Sequence, residues 1–162
     1  MRLGLFELVL VGAAILVAAV GVWRLQTHGG GGANGPVVLA SWTRTPGALN
    51  PDVTQATIAT TICVHGWTRT VRPPVSYTNA LKARQLREYG LHGPLSGFQE
   101  DHLISLELGG APVDSRNLWP EPYPRAADVD RIENELNRRV CDGSLTLAAA
   151  QATESSLKHR AG

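Results

Sequence analysis

The sequence predicts an α+β domain preceded by an amino-terminal transmembrane helix. Three observations point there. Two short apolar runs flank a Gly109-Gly110 pair between Phe98 and Trp119, which is the pattern of a β-hairpin. Two other stretches, 76–89 and 126–140, carry apolar residues at helical spacing. An uninterrupted apolar run covers Leu8 to Val22.

That apolar run sets the first element. The window from Leu3 to Trp23 is broken only by Glu7, and as a helix it would span about 31 Å, roughly the thickness of a bilayer's hydrocarbon core. Glu7 falls near one interface, and Trp23 with Arg24 suits the other. A cleavable signal peptide competes, because Ala19-Val20-Gly21 offers small residues for processing, but the apolar stretch is longer than the usual signal core of roughly 7 to 15 residues. Residues 1–25 are therefore read as an anchor first and a signal peptide second. Residues 26–36, QTHGGGGANGP, form a Gly-rich linker with a reach of about 18 to 20 Å. His28 sits there, facing solvent. The remainder, 37–162, is one domain.

Between Pro36 and Pro74 the signals are weaker. Val37 to Ala40 and Thr57 to Val64 have strand-like content, with turns at Pro46-Gly47 and Asn50-Pro51. His65, and His92 further on, are read as exposed or structural. Helix 76–89 can be capped by Ser76 or Thr78 and is stopped by Gly90, with Tyr77, Leu81, Leu86 and Tyr89 as its stripe. Pro120 to Pro124, PEPYP, is stiff and extended. Val129, Ile132, Leu136 and Val140 form the buried stripe of helix 126–140, with Asp128 and Asp130 on opposite flanks. Asp142-Gly143 ends it, and a last helix runs from Thr146 to Lys158, capped by Ser144 or Thr146.

The chain holds two cysteines, Cys63 and Cys141. In an exported domain an even pair most economically means one disulfide. It would close a long loop, worth about 4 to 5 kcal/mol in the chain-entropy model. Charge is laid out unevenly behind a formal net of +1. Between Cys63 and Gly90 the basic residues Arg69, Arg72, Lys82, Arg84 and Arg87 face Glu88 alone, whereas from Glu100 to Glu135 nine acids face Arg116, Arg125 and Arg131. A basic segment followed by an acidic one suits a protein that holds a polyanion with one part and a cation with another.

The hairpin carries the chemistry. Phosphodiester hydrolysis needs a nucleophile made from water, a cation to neutralise charge on the phosphate, and a way to hold the backbone. A neutral imidazole can take the proton from water near pH 7, and a carboxylate beside it offers a hard oxygen ligand. Asp101 and His102 supply this pair. Because adjacent strand residues point to opposite faces, both can serve one pocket only at a strand end or a bulge.

Asp101-His102-Leu103-Ile104, then Gly109-Gly110, then Asn117-Leu118-Trp119 and a helix, resembles the HNH branch of the His-Me finger nucleases over residues 98–140. Those proteins have a ββα-metal core, a β-hairpin and a helix clasping one metal ion. The stretch around Cys63, Arg72-Pro73-Pro74 and Tyr77-Thr78-Asn79 resembles that of small exported bacterial proteins with this motif. The resemblance implies His102 as general base and Asp101 as metal ligand. It implies Asn117 as the residue that pins the loop or orients the histidine, with metal binding in some branches. Where the family usually places a ligand at the helix start, this chain has Ala126. Asp130 falls where colicin-type DNases carry a further ligand, and Asp128 substitutes if the proline segment shifts the register.

The expectation is thus an extracytoplasmic, membrane-anchored endonuclease, secreted if the anchor is cleaved. Its cofactor would be Mg²⁺ or another divalent ion such as Mn²⁺, with no structural zinc and no small-molecule cofactor. Its partner would be nucleic acid, DNA first. Arg69, Arg72, Lys82, Arg84, Arg87 and Arg116 are the candidate backbone contacts, which position without reading sequence. The rival is a catalytically inactive tethered module that binds nucleic acid or an envelope polymer on the same fold. A zinc hydrolase fits poorly, since no second histidine has ligand spacing to His102.

Overall fold

The computed structural model describes residues 38–160, so the anchor at 1–25 and the linker at 26–36 lie outside the described residues. Among the described residues the chain is an α+β arrangement of one two-stranded antiparallel sheet and four α-helices. No described helix is long and apolar enough to cross a membrane.

The amino-terminal segment departs from expectation. Thr57 to Val64 forms turns and a single 3₁₀ turn at Ile58–Thr60, not a strand. Its threonines explain why. Thr57 Oγ1 donates to the Asp52 and Thr54 carbonyls at 2.8 and 3.2 Å, and Thr60 and Thr61 Oγ1 both donate to the Thr57 carbonyl. Side chains that satisfy the local backbone in this way compete with ladder formation. Residues 38–40 likewise join no strand; the Ala40 amide donates to the Lys158 carbonyl at 3.0 Å. Helix α1 (Trp67–Val71) follows, in a stretch whose sequence did not announce it.

Helix α2 (Val75–Glu88) begins directly after Pro74, without a side-chain cap. It lies on the hairpin. Lys82 Nζ donates to the Phe98 carbonyl at 2.9 Å and Gln85 Nε2 to the Leu118 carbonyl at 2.8 Å, so its buried face is Leu81, Lys82, Gln85 and Leu86, while Tyr77 stands partly exposed.

Strand β1 (Phe98–His102) pairs with β2 (Leu118–Pro122), with Asp101 opposite Trp119 and His102 opposite Leu118. The proline segment therefore supplies half of a strand. Pro120 and Pro122 are two apart and share one side, which leaves the N–H groups of Trp119 and Glu121 to the ladder. Residues 103–117 form a long loop closed against residues 47–50 through an isolated bridge between Leu49 and Gly110. Gly110 has no room for a side chain there: a Cβ would lie 1.7 Å from the Ile104 carbonyl oxygen.

Helix α3 (Arg125–Cys141) enters through a cis Tyr123–Pro124 bond. Its buried line is Ala126, Val129, Glu133, Leu136 and Val140, and Ile132 is 40% exposed. The predicted stripe is thus corrected by one residue. Steps of three, four, three and four follow the 3.6-residue period more closely and bring Glu133 inward. Helix α4 (Leu147–His159) is capped by Thr146, whose Oγ1 accepts the Ala149 N–H at 3.2 Å. The main core joins Val53, Ile62, Ile104 and Leu108 to Leu136, Val140, Leu147 and Ala150. Beside it, Cys63 and Cys141 form a disulfide across 78 residues of chain. That bond is compatible with an extracytoplasmic setting.

Candidate functional site

Asp101 and His102 are the last two residues of β1, and both line one cleft of about 400 Å³. The two share the cleft at the end of the paired strand, one cross-strand bond, from the Leu103 N–H to the Asn117 carbonyl at 2.7 Å, before the loop begins. The cleft is further lined by Asp130 and Glu133 from α3, by Arg72 after α1, and by Ser105 in the hairpin loop.

His102 is 6% exposed, and its Nε2 lies 3.0 Å from the Pro112 carbonyl oxygen. A carbonyl only accepts, so Nε2 carries the proton and the lone pair of the neutral ring is on Nδ1. Burial lowers the imidazole pKa below its ordinary 6.5, although the Pro112 bond and the Asp101 charge pull the other way.

Asn117 organises the loop that carries Pro112. It is fully buried. Its Oδ1 accepts the Ile104 N–H at 2.9 Å, and its Nδ2 donates to the Ile104 and Ala111 carbonyls at 3.0 and 3.1 Å. The amide thus fixes the peptide next to Pro112, and through it the acceptor that orients His102. Both ends of the Asn117 amide are engaged in the loop, and Asn117 does not line the cleft.

Asp101, Asp130 and Glu133 each offer an oxygen within 4.8 Å of the others. Asp130 and Glu133 are three apart on α3, hence on one face. A single cation spans at most about 4.2 Å between ligand oxygens with bonds near 2.1 Å, and about 4.8 Å with bonds near 2.4 Å. The donor set is all carboxylate, which suits a hard divalent ion. Gln99 Nε2 links two members, donating to Asp130 Oδ1 at 3.2 Å and more weakly to Asp101 Oδ1 at 3.4 Å.

Behind this group lies an ammonium. Lys158 of α4 is fully buried, with Nζ 2.8 Å from Asp101 Oδ2, 2.5 Å from Glu133 Oε1 and 3.2 Å from Glu154 Oε1, and it also donates to the His102 carbonyl. Burial pushes the Asp101 carboxyl up, but the Lys158 ammonium outweighs it and holds the pKa below 3.8. Burial opposes the Lys158 charge too, yet the surrounding carboxylates raise its pKa well above 10.5. Glu133 goes the other way: burial lifts it to about 9 against the pull of Lys158. Glu121, fully buried on β2 and paired with Arg125, is lifted to about 8 by burial and then by Asp101.

The remaining predicted residues divide sharply. Asp128 is exposed and paired with Arg131, outside the carboxylate group, so Asp130 is the residue that arrives. The proline segment does not shift the register. Ala126 is buried in the core and offers no ligand. Lys82 is spent on the Phe98 carbonyl and is 8% exposed, which removes it as a free backbone contact. Arg84 pairs with Glu88 at 3.3 Å, Arg87 bonds the Ala83 carbonyl at 2.7 Å, and Arg116 pairs with Asp114 at 2.6 Å. Of the six predicted cations only Arg72 lines the cleft; Arg69 is exposed outside it. His65 and His92 are exposed.

Sequence reasoning missed Glu133, Glu154 and Lys158. The Asp130-x-x-Glu133 spacing was a usable signal for the first. For Lys158 and Glu154 the only signal was an i, i+4 acid–base pair, which usually marks a solvated helix face. Compared with protein-family models, with curated proteins and with solved structures, the chain matches none.

Proposed function

We propose that this chain is a metal-dependent endonuclease of the HNH type, hydrolysing phosphodiester bonds in nucleic acid, DNA first, outside the cytoplasm and tethered by its amino-terminal segment. One observation carries the reading: the neutral His102 ring, with its lone pair on Nδ1, lines the same cleft as the Asp101, Asp130 and Glu133 carboxylates. Hairpin followed by helix is also the order in which the family resemblance asks for these groups.

In this reading His102 Nδ1 takes the proton from the attacking water, and the Pro112 carbonyl holds the ring in the required tautomer. Asp101, Asp130 and Glu133 would hold Mg²⁺ or Mn²⁺, which when bound supplies charge neutralisation at the phosphate and leaving oxygen. Arg72 forms no ion pair among the described residues and is the cation placed to meet the substrate backbone. Asn117 keeps the loop in register.

The test is plasmid nicking by the full-length chain with Mg²⁺ or Mn²⁺ beside His102→Ala. Loss of a general base should cost about 100-fold or more. Equal rates in the two proteins, with contaminating nuclease excluded, would overturn the mechanism.

A second reading, a tethered nucleic-acid or envelope-polymer binding module, is favoured by the Lys158 ammonium, which already compensates the carboxylates. It expects DNA retention in a filter assay with no divalent-dependent nicking.

A further inference from the structure

The Lys158 ammonium is surrounded by four oxygens, from Asp101, Glu133, Glu154 and the His102 carbonyl. Three carboxylates and a backbone carbonyl are a set that a hard cation would accept. Here an ammonium fills it. The shell is tied to the backbone on the α4 side. Glu154 accepts the Ser105 N–H with both oxygens, at 2.9 and 3.0 Å, and the Lys158 carbonyl accepts the Ala40 N–H.

Two of these ligands have a second role. Asp101 and Glu133 also belong to the group that faces the cleft with Asp130. The same carboxyls therefore form the front of the ammonium's shell and the back of the proposed metal site. Buried carboxyls with no counter-charge would all hold their protons, so a cation between α3, α4 and the strand end is what keeps Asp101 ionised.

We infer that Lys158 is a built-in counter-cation, a positioning residue that holds Asp101 and Glu133 in place for the cleft and, by occupying the inner position permanently, limits the cluster to a single divalent ion. The inference rests on the metal-site reading for its outer ion, but not for the inner one. Replacing the ammonium with an uncharged side chain should open that inner position to a metal.

The experiment is Mn²⁺ titration by calorimetry of the full chain in detergent, comparing wild type, Lys158→Met and Lys158→Met with Asp101→Asn. Circular dichroism checks the fold. Should Lys158→Met alone fail to fold, Lys158→Met with Glu154→Gln removes one acid along with the ammonium and keeps the formal charge of the group. The expected result is one high-affinity Mn²⁺ for wild type, one more for the variant lacking the ammonium, and loss of the added ion together with weakening of the first on Asp101→Asn, because Asp101 belongs to both positions. Paired ions would also broaden the Mn²⁺ resonance spectrum.

No ion in wild type but one in the Lys158 variant would discard the metal-site reading with its outer ion and support the inner half of the inference, since the ammonium then stands in for the metal outright. Equal ion counts in wild type and variant, or an added ion that survives Asp101→Asn, would overturn it.

Discussion

The Nε2–H of His102 donates to the Pro112 carbonyl at 3.0 Å, across the loop that joins the two strands of the hairpin. This one bond fixes the tautomer, and burial keeps the ring neutral to lower pH than usual. The acidic limb of a nicking-rate profile should therefore fall below pH 6.5, the ordinary histidine value. Rates measured from about pH 5 to 8 at saturating Mn²⁺ decide it, and half-maximal activity above the ordinary value would contradict the assignment of His102 as base.

Asn117 satisfies two buried backbone groups of Ile104 and a half-buried one of Ala111 with one side chain. Asn117→Ala leaves the Ile104 N–H and the Ile104 and Ala111 carbonyls without it, and should cost roughly 3 to 5 kcal/mol, given about 1 to 3 kcal/mol per buried polar group left unpaired. Urea unfolding measures this. A loss under about 1 kcal/mol would mean that the loop holds its shape by other contacts.

Glu100 lines the cleft with neither carboxyl oxygen hydrogen-bonded. Burial lifts its pKa from 4.5 to about 8, against the pull of Lys82. Between those values the folded chain holds a proton that the unfolded chain has released, so the contribution to stability is full below about 4.5 and lost as pH rises to about 8. Glu121 and Glu133 share the trend. Glu100→Gln should then flatten part of the decline in unfolding free energy across this window. An unchanged slope would show that Glu100 ionises freely in the folded protein.

The disulfide ties the segment before α1 to the end of α3. Cys63→Ser with Cys141→Ser should lower stability by about 2 to 5 kcal/mol while leaving the helical spectrum in place at low temperature. Denaturant midpoints of the two proteins give the difference. Coincident midpoints would mean that the packed core around Leu136 and Val140 does without the bond.

Local signals did determine a good part of this molecule. The hairpin around Gly109-Gly110, the three long helices to within a few residues, the Cys63–Cys141 pair and the juxtaposition of Asp101 with His102 all follow from period, turn chemistry and composition, and the cap of the last helix is narrowed to Ser144 or Thr146. Apart from the disulfide, which follows from there being two cysteines, these depend on neighbours within a few residues. What the sequence did not disclose depends on contacts between distant segments. Ile132 and Glu133 are adjacent on α3; hydrophobicity favours the first as the inward residue and the helical period the second, and the packing of α3 against α4 supplies Lys158, the partner that lets Glu133 be buried. The packing of α2 on the hairpin divides the basic residues, leaving Arg72 at the cleft while Lys82 is buried on a carbonyl. A charged side chain declares its type in the sequence, but the partner that permits its burial is supplied by the fold.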